Sequence, residues 1–207
     1  VADDLQDLGG FPIFPLEPDW TTEPELDPML IRDLRQYTGT VQGLDAIMDP
    51  AAFRLRAGFG TDKDEEYELL DFFVGRLGRL KKFWLKGPKT AFTLQAASAA
   101  GASHLWVHDN GFLQLYQGYE RIYIEAHGGD LITRKITGIT DDREENSRLQ
   151  LLFAMGLDRE ITPTNHYRIG MLYLVRFETD ALKLEFMTSH LADAEGRFTE
   201  LVQEYPS

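Results

Sequence analysis

His104 and His108 have the spacing closest to a metal pair, because two histidines four apart on a helix present both imidazoles to one side. Between them, however, Leu105-Trp106-Val107 reads as strand. Same-face residues on a strand are two apart, so a spacing of four holds the rings two ladder steps from each other. No glutamate occupies the position a metalloprotease needs, and the pair reads as ordinary histidines. Asp141, Asp142, Glu144 and Glu145 offer the carboxylate oxygens that calcium favours. The stretch lacks alternating acids and a central glycine, and Arg143 and Arg148 partly neutralise it, so it reads as a solvated turn. No glycine-rich phosphate loop or nucleophile elbow occurs, and no serine sits by a turn glycine with a partner histidine. With 34 acidic residues, carboxylate pairs arise by abundance and single out no glycosidase constellation. Trp106, Tyr116, Tyr119 and Tyr123 have two readings: a face on which sugars stack, or the core of a sandwich. The residues name no reaction. The expectation is a chain without catalysis, cofactor or bound metal that acts through its surfaces.

Composition narrows the partners. A net charge of −13, from 21 basic and 34 acidic residues, opposes nucleic-acid coating and anionic membranes, both of which need a cationic surface. Without cysteine there is no disulfide framework, thiolate metal site or cysteine nucleophile, which fits assembly in the cytosol. No apolar run approaches the roughly 18 residues of a membrane helix, and VADDLQDLGG has no signal-peptide pattern. The expected chain is soluble and is not exported on its own.

These surfaces must be carried by mainly β structure. Residues 1–28 hold five of the nine prolines, which excludes a helix or central strand and leaves an extended arm. Its aromatics, Phe11, Phe14 and Trp20, would pin it to its own sheet or to a neighbouring subunit. Residues 29–37 and 40–45 read as short strands around Thr38-Gly39. Phe53, Leu55, Ala57 and Phe59 alternate with Arg54, Arg56 and Gly58, the period of a half-buried strand. The arginine face meets either solvent or an acidic neighbour. A helix is expected over about 62–77, capped by Thr61 with Asp64 and buried through Leu69, Leu70, Phe73 and Leu77. Gly75 and Gly78 would supply its left-handed exit. An aromatic strand at Phe83-Trp84-Leu85 follows, and Gly87-Pro88 is expected to turn the chain. Beyond a boundary near 98, where Ala99-Ala100-Gly101 reads as a break, short strands follow between glycine-marked turns: 104–108, 112–117, 121–126, 131–140, 149–153, 168–177 and 182–186. The end, ADAEGRFTELVQEYPS, reads as acidic and weakly helical. The expected fold is an antiparallel β-sandwich or barrel with one prominent α-helix in the N-terminal half. Its parts are the arm 1–28, a helix-bearing β-domain 29–97 and an all-strand half 98–207, the last two open to being one domain.

The run FFVGRLGRLKKFWL at 72–85 resembles a family of tailed-phage virion proteins, the distal tail proteins of long-tailed phages and gene transfer agents. The Pro-rich opening around Trp20, Asn110-Gly111, and Arg176-Phe177 with Asp180 extend the resemblance over nearly the whole chain. The chain departs from it before Phe53, where Asp49-Pro50-Ala51-Ala52 replaces an Arg-rich run. The resemblance implies a ring-forming adaptor, a hexamer as in such relatives, joining tail tube to baseplate hub, with the tape-measure protein as a further contact. It would be a virion component at the tail tip, assembled in the host bacterial cytoplasm, with no cofactor and no nucleic-acid or membrane partner. Phe73, Trp84, Arg176, Phe177 and Asp180 would be its structural positions, and Phe11, Phe14, Trp20, Arg54 and Arg56 candidate intersubunit contacts. The alternative is a carbohydrate- or receptor-binding β-sandwich at the tail tip.

Overall fold

The computed structural model describes residues 8–17, 25–29, 32–35, 43–46, 52–111, 120–126, 130–142, 148–186 and 191–201. Among them are twelve strands and one α-helix; ten strands join in one antiparallel sheet and two form a separate hairpin. The chain is thus mainly β and antiparallel with a single prominent helix. It packs into two compact units, residues 1–14 with 83–173 and residues 15–82 with 174–205. The sequence pattern places a boundary near 98; the packing divides the chain at 14/15, 82/83 and 173/174 instead.

The first unit is a closed barrel. Its strands are β5 (Phe83–Leu94), β6 (His104–Asp109), β7 (Arg121–Ala126), β8 (Leu131–Asp142), β9 (Arg148–Phe153) and the first part of β10 (His166–Phe177). They run in the order β10-β5-β6-β9-β8-β7, and β7 returns to β10 through Ile124 opposite Ile169 and Ile122 opposite Met171. Closure leaves no free edge in the ring, which removes the template for unwanted strand pairing. Alternation builds the core: Leu105 and Val107 on β6 pair with Leu151 and Leu149 on β9, and all four are buried.

Glycine supplies the close approaches in this wall. Gly170 lies opposite Tyr123, and a Cβ there would sit 2.5 Å from the ring. At Gly87 a Cβ would sit 2.6 Å from the Tyr173 ring, and the Tyr123 hydroxyl donates to the Gly87 carbonyl at 3.0 Å. Gly87-Pro88 therefore does not turn the chain: β5 runs through it, with Gly87 serving as the seat of a tyrosine ring.

Ala99-Ala100-Gly101 is likewise a clasp and not a domain break. Ser98 and Ile161 exchange two backbone hydrogen bonds of 2.8 Å, Gly101 N–H donates to Leu157 O at 2.7 Å, and Leu157 N–H donates to Ala102 O at 2.9 Å. Gly101 takes φ +80°, and Gly156 packs so closely that a Cβ would lie 2.6 Å from the Gly101 carbonyl oxygen. Arg134, 2% exposed, locks the clasp, donating to Gly156 O at 2.8 Å and to Asp158 Oδ1 at 2.6 Å.

The second unit holds β1 (Glu25–Met29), the hairpin β2 (Arg32–Arg35) and β3 (Gly43–Ala46), β4 (Ala52–Asp62), α1 (Lys63–Gly75), β11 (Lys183–Phe186), β12 (Leu191–Glu200) and the end of β10. Pairing runs β1-β4-β12, and the far side of β12 takes the end of β10 and then β11. Pro28 lies on β1 opposite Phe53, so residues 25–28 of the expected arm are strand. Within the described residues β1 pairs β4 alone, an edge position that tolerates proline.

The largest departure from expectation is β12. The stretch read as weakly helical pairs with β4 from Leu191 opposite Asp62 to Thr199 opposite Arg54. Its buried residues, Ala194, Gly196 and Phe198, face Phe59, Ala57 and Leu55 across the ladder. Small Ala194 meets large Phe59, and a Cβ on Gly196 would lie 2.6 Å from Phe198 and 2.8 Å from Phe59.

Helix α1 packs on β4 and β12. Its cap lies one residue later than expected. Asp62 accepts from the Asp64 and Glu65 amides at 2.9 Å, while Glu65 accepts from the Asp62 amide at 3.1 Å; Thr61 belongs to β4. Leu69 is fully buried, and Phe73 meets Phe177 edge-on at 4.8 Å. Phe177 lies 5.4 Å from Phe198, which meets Phe59 edge-on at 6.0 Å, so four aromatic rings connect helix to sheet. The helix stops at Gly75, before its apolar stripe reaches Leu77. Leu77 is exposed and takes φ +54° itself, with Gly78 at +58°. Gly78 is also required by contact, since a Cβ would lie 2.7 Å from Asp180 Oδ1.

Candidate interaction surfaces

Residues 8–14 of the arm belong to the barrel unit. Phe14 N–H donates to Trp84 O at 2.7 Å, Trp84 N–H donates to Pro12 O at 2.8 Å, and the Trp84 indole donates to Leu8 O at 2.8 Å. Phe14 is 1% exposed and stacks on Phe83 at 5.8 Å. Of the two readings of the arm, residues 8–14 follow the one in which it folds back. Phe14 is withdrawn from the surface, which corrects its assignment as an intersubunit contact; Phe11 is half-buried and Trp20 lies outside the described residues. Trp84 is fully buried with its N–H satisfied and the Arg121 guanidinium 5.2 Å from its ring.

Arg54 and Arg56 lie on the exposed face of β4, as their alternation requires, and find acids within their own chain. Arg54 pairs with Glu178 at 3.2 Å and Arg56 with Glu195 at 2.8 Å. Arg197 donates to the other Glu195 oxygen at 2.9 Å. The hydrogen bonds from Arg56 and Arg197 lower the Glu195 pKa to about 2. Asp180 accepts from the Arg79 amide at 3.1 Å and pairs with its guanidinium at 3.0 Å, tying the turn after α1 to the turn after β10. Arg176 is exposed on β10 opposite Thr199.

The residues examined for chemistry are dispersed. Among the described residues no three His, Asp or Glu side chains are grouped to hold a metal. His104 lies edge-on to Trp106 at 6.2 Å, and the Arg148 guanidinium covers the Trp106 ring at 4.0 Å while pairing with Asp142 at 2.9 Å. Tyr123 is fully buried, which takes it out of an aromatic platform; Tyr116 and Tyr119 lie outside the described residues. Residues 143–147 of the acidic turn lie outside them too.

Two charged clusters escaped the sequence reading. One is Arg134 in the clasp. The other is Glu125, which accepts from Lys86 at 3.1 Å and from Arg168 at 2.9 Å, with all three side chains at most 15% exposed. This triad joins β5, β10 and β7, neighbours in the barrel wall. Its only sequence signal was the interruption of apolar strands by single charges.

The exposed apolar surface gathers on α1 and the turn beyond it: Tyr67, Val74, Leu77 and Leu80. No known family model matches the chain, and a search of curated proteins finds no match either.

Proposed function

We propose that the chain is a virion structural protein of a phage-type tail tip, an adaptor of the distal-tail kind that forms a cyclic ring between tail tube and baseplate hub. The observation that carries this reading is what the family-like motif builds. Phe73 docks on Phe177, Gly78 and Arg79 dock on Asp180, and Trp84 anchors the wall of a closed barrel. Each of these positions serves a rigid scaffold, and such a scaffold acts through its surfaces.

A ring uses head-to-tail contacts between two different patches of each subunit. With a charge of −13, like subunits repel at long range, so those contacts must be local. The exposed edges of Arg54 and Arg56, and half-buried Phe11, are the candidate positions still at the surface. Antibody against the chain, imaged by electron microscopy on assembled particles, is expected to decorate the tail tip. Decoration of the capsid, or robust hydrolysis of cell-wall polymer by the isolated protein, would overturn the reading.

A further inference from the structure

Among the described residues the exposed large apolar side chains are Tyr67, Val74, Leu77, Leu80, Ile139 and Met155, and the first four fall in one short stretch. Tyr67 and Val74 are 61% and 66% exposed and seven residues apart, hence on one side of α1 with half-buried Leu70 between them. Leu77 and Leu80, 54% and 73% exposed, follow within six residues of Val74, past the helix end. Single exposed leucines are ordinary, whereas a contiguous patch marks an interaction site.

Charge identifies the occupant. The N-terminal part of the patch carries exposed Asp64, Glu68 and Asp71 against one base, Lys63, and the segment after the helix carries Arg76, Arg79, Lys81 and Lys82. A parallel partner of the same kind would set like charges together. An antiparallel one sets each acidic end against a basic end while the apolar stripes meet. A two-fold contact demands this self-complementarity, residue i meeting j and j meeting i. We propose that a second copy of this chain docks here, α1 antiparallel to α1, with the two-fold axis near Val74. The contact is separate from the ring of the tail-tip reading, which joins unlike patches, and either can fail without the other.

The chain has no cysteine, so introduced thiols report against no background. Val74→Cys, near the axis, is expected to cross-link to itself under mild oxidation. Tyr67→Cys is expected not to. At about 1.5 Å rise per residue, the two Tyr67 positions would lie roughly 20 Å apart along the helices, well beyond the roughly 7 Å Cα limit of a disulfide. Glu68→Lys/Asp71→Lys should weaken self-association by roughly tenfold or more. Mixing it with Lys81→Glu/Lys82→Glu should restore association. A monomeric mass for the unmodified protein at every concentration would overturn the proposal. So would self-cross-linking of Tyr67→Cys as readily as Val74→Cys, or association that both charge variants leave unchanged or strengthened.

Discussion

The two units use charge in opposite ways. In the barrel, Arg134 is 2% exposed and clamps two loops, and the Lys86–Glu125–Arg168 triad is nearly enclosed. In the helix-bearing unit Glu200 is buried, but most of the charge lines an open sheet face, where Arg54, Arg56, Glu178, Glu195 and Arg197 stay partly in water. A closed wall whose strands are buried on both faces can hold a charge only with its partners in place, because an orphaned buried charge is costly. An open sheet face screens its pairs, and each is worth little. Variants should therefore be severe in the barrel and mild on the sheet face, whatever the number of hydrogen bonds lost.

The largest effect is expected at Trp84. Trp84→Ala removes a fully buried ring and leaves the Leu8 carbonyl only the long Phe11 N–H bond of 3.4 Å, and should cost about 3–5 kcal/mol in urea unfolding. A loss under about 1 kcal/mol would show that residues 8–14 do not cover the barrel in solution. Next comes Arg134→Met, which keeps the side chain's length but strips Gly156 O and Asp158 of their donor. About 1–3 kcal/mol is expected, with faster amide exchange at Gly101 and Leu157, whose mutual strap it secures. Unchanged exchange there would separate Arg134 from the clasp.

On the other unit, Gly196→Ala places a methyl where two phenylalanine rings already touch, and should cost about 1–3 kcal/mol through overpacking. A neutral result would mean that β12 can move away from β4. The smallest effect at neutral pH belongs to Glu195→Gln, within about 1 kcal/mol. Its signature is in acid. The folded-state pKa of Glu195 is lowered to about 2 from 4.5, so its stabilisation is complete above the unfolded value and disappears as pH falls from about 4.5 towards about 2. The variant should flatten that part of the stability profile, and an identical acid slope would contradict the Arg56–Glu195–Arg197 arrangement.

The contrast also marks what was legible in the sequence. Strands with a strong apolar period were: 121–126 has the bounds expected, and Leu55, Ala57 and Phe59 lie on the buried face assigned to them. The strand β12 was hidden because Ala194 and Gly196 carry too little apolar weight to signal a period. Their smallness is an answer to Phe59, which is distant in the chain, and to the way Phe198 folds back over Gly196. Gly87-Pro88 and Ala99-Ala100-Gly101 misled for a related reason. Glycine marks a turn, a close approach or both, and only the tertiary neighbour decides which. Leu77 belonged to an apolar repeat, but the helix ended first. Of the candidate surface residues, Arg54 and Arg56 are at the surface with acids of their own chain, whereas Phe14 is core. An aromatic among prolines has the same local pattern whether it docks at home or on a neighbour.

The ring is the central claim, and native mass as a function of salt tests it most directly. Raising salt from about 0.1 to about 1 M shortens the screening length from about 10 to about 3 Å. That relieves the repulsion carried by a charge of −13. The account predicts a shift from one or two 23.6 kDa chains to a ring-sized species, a hexamer by the resemblance or two such rings where α1 also pairs, as salt rises. A mass that stays at one or two chains across the whole range would contradict it.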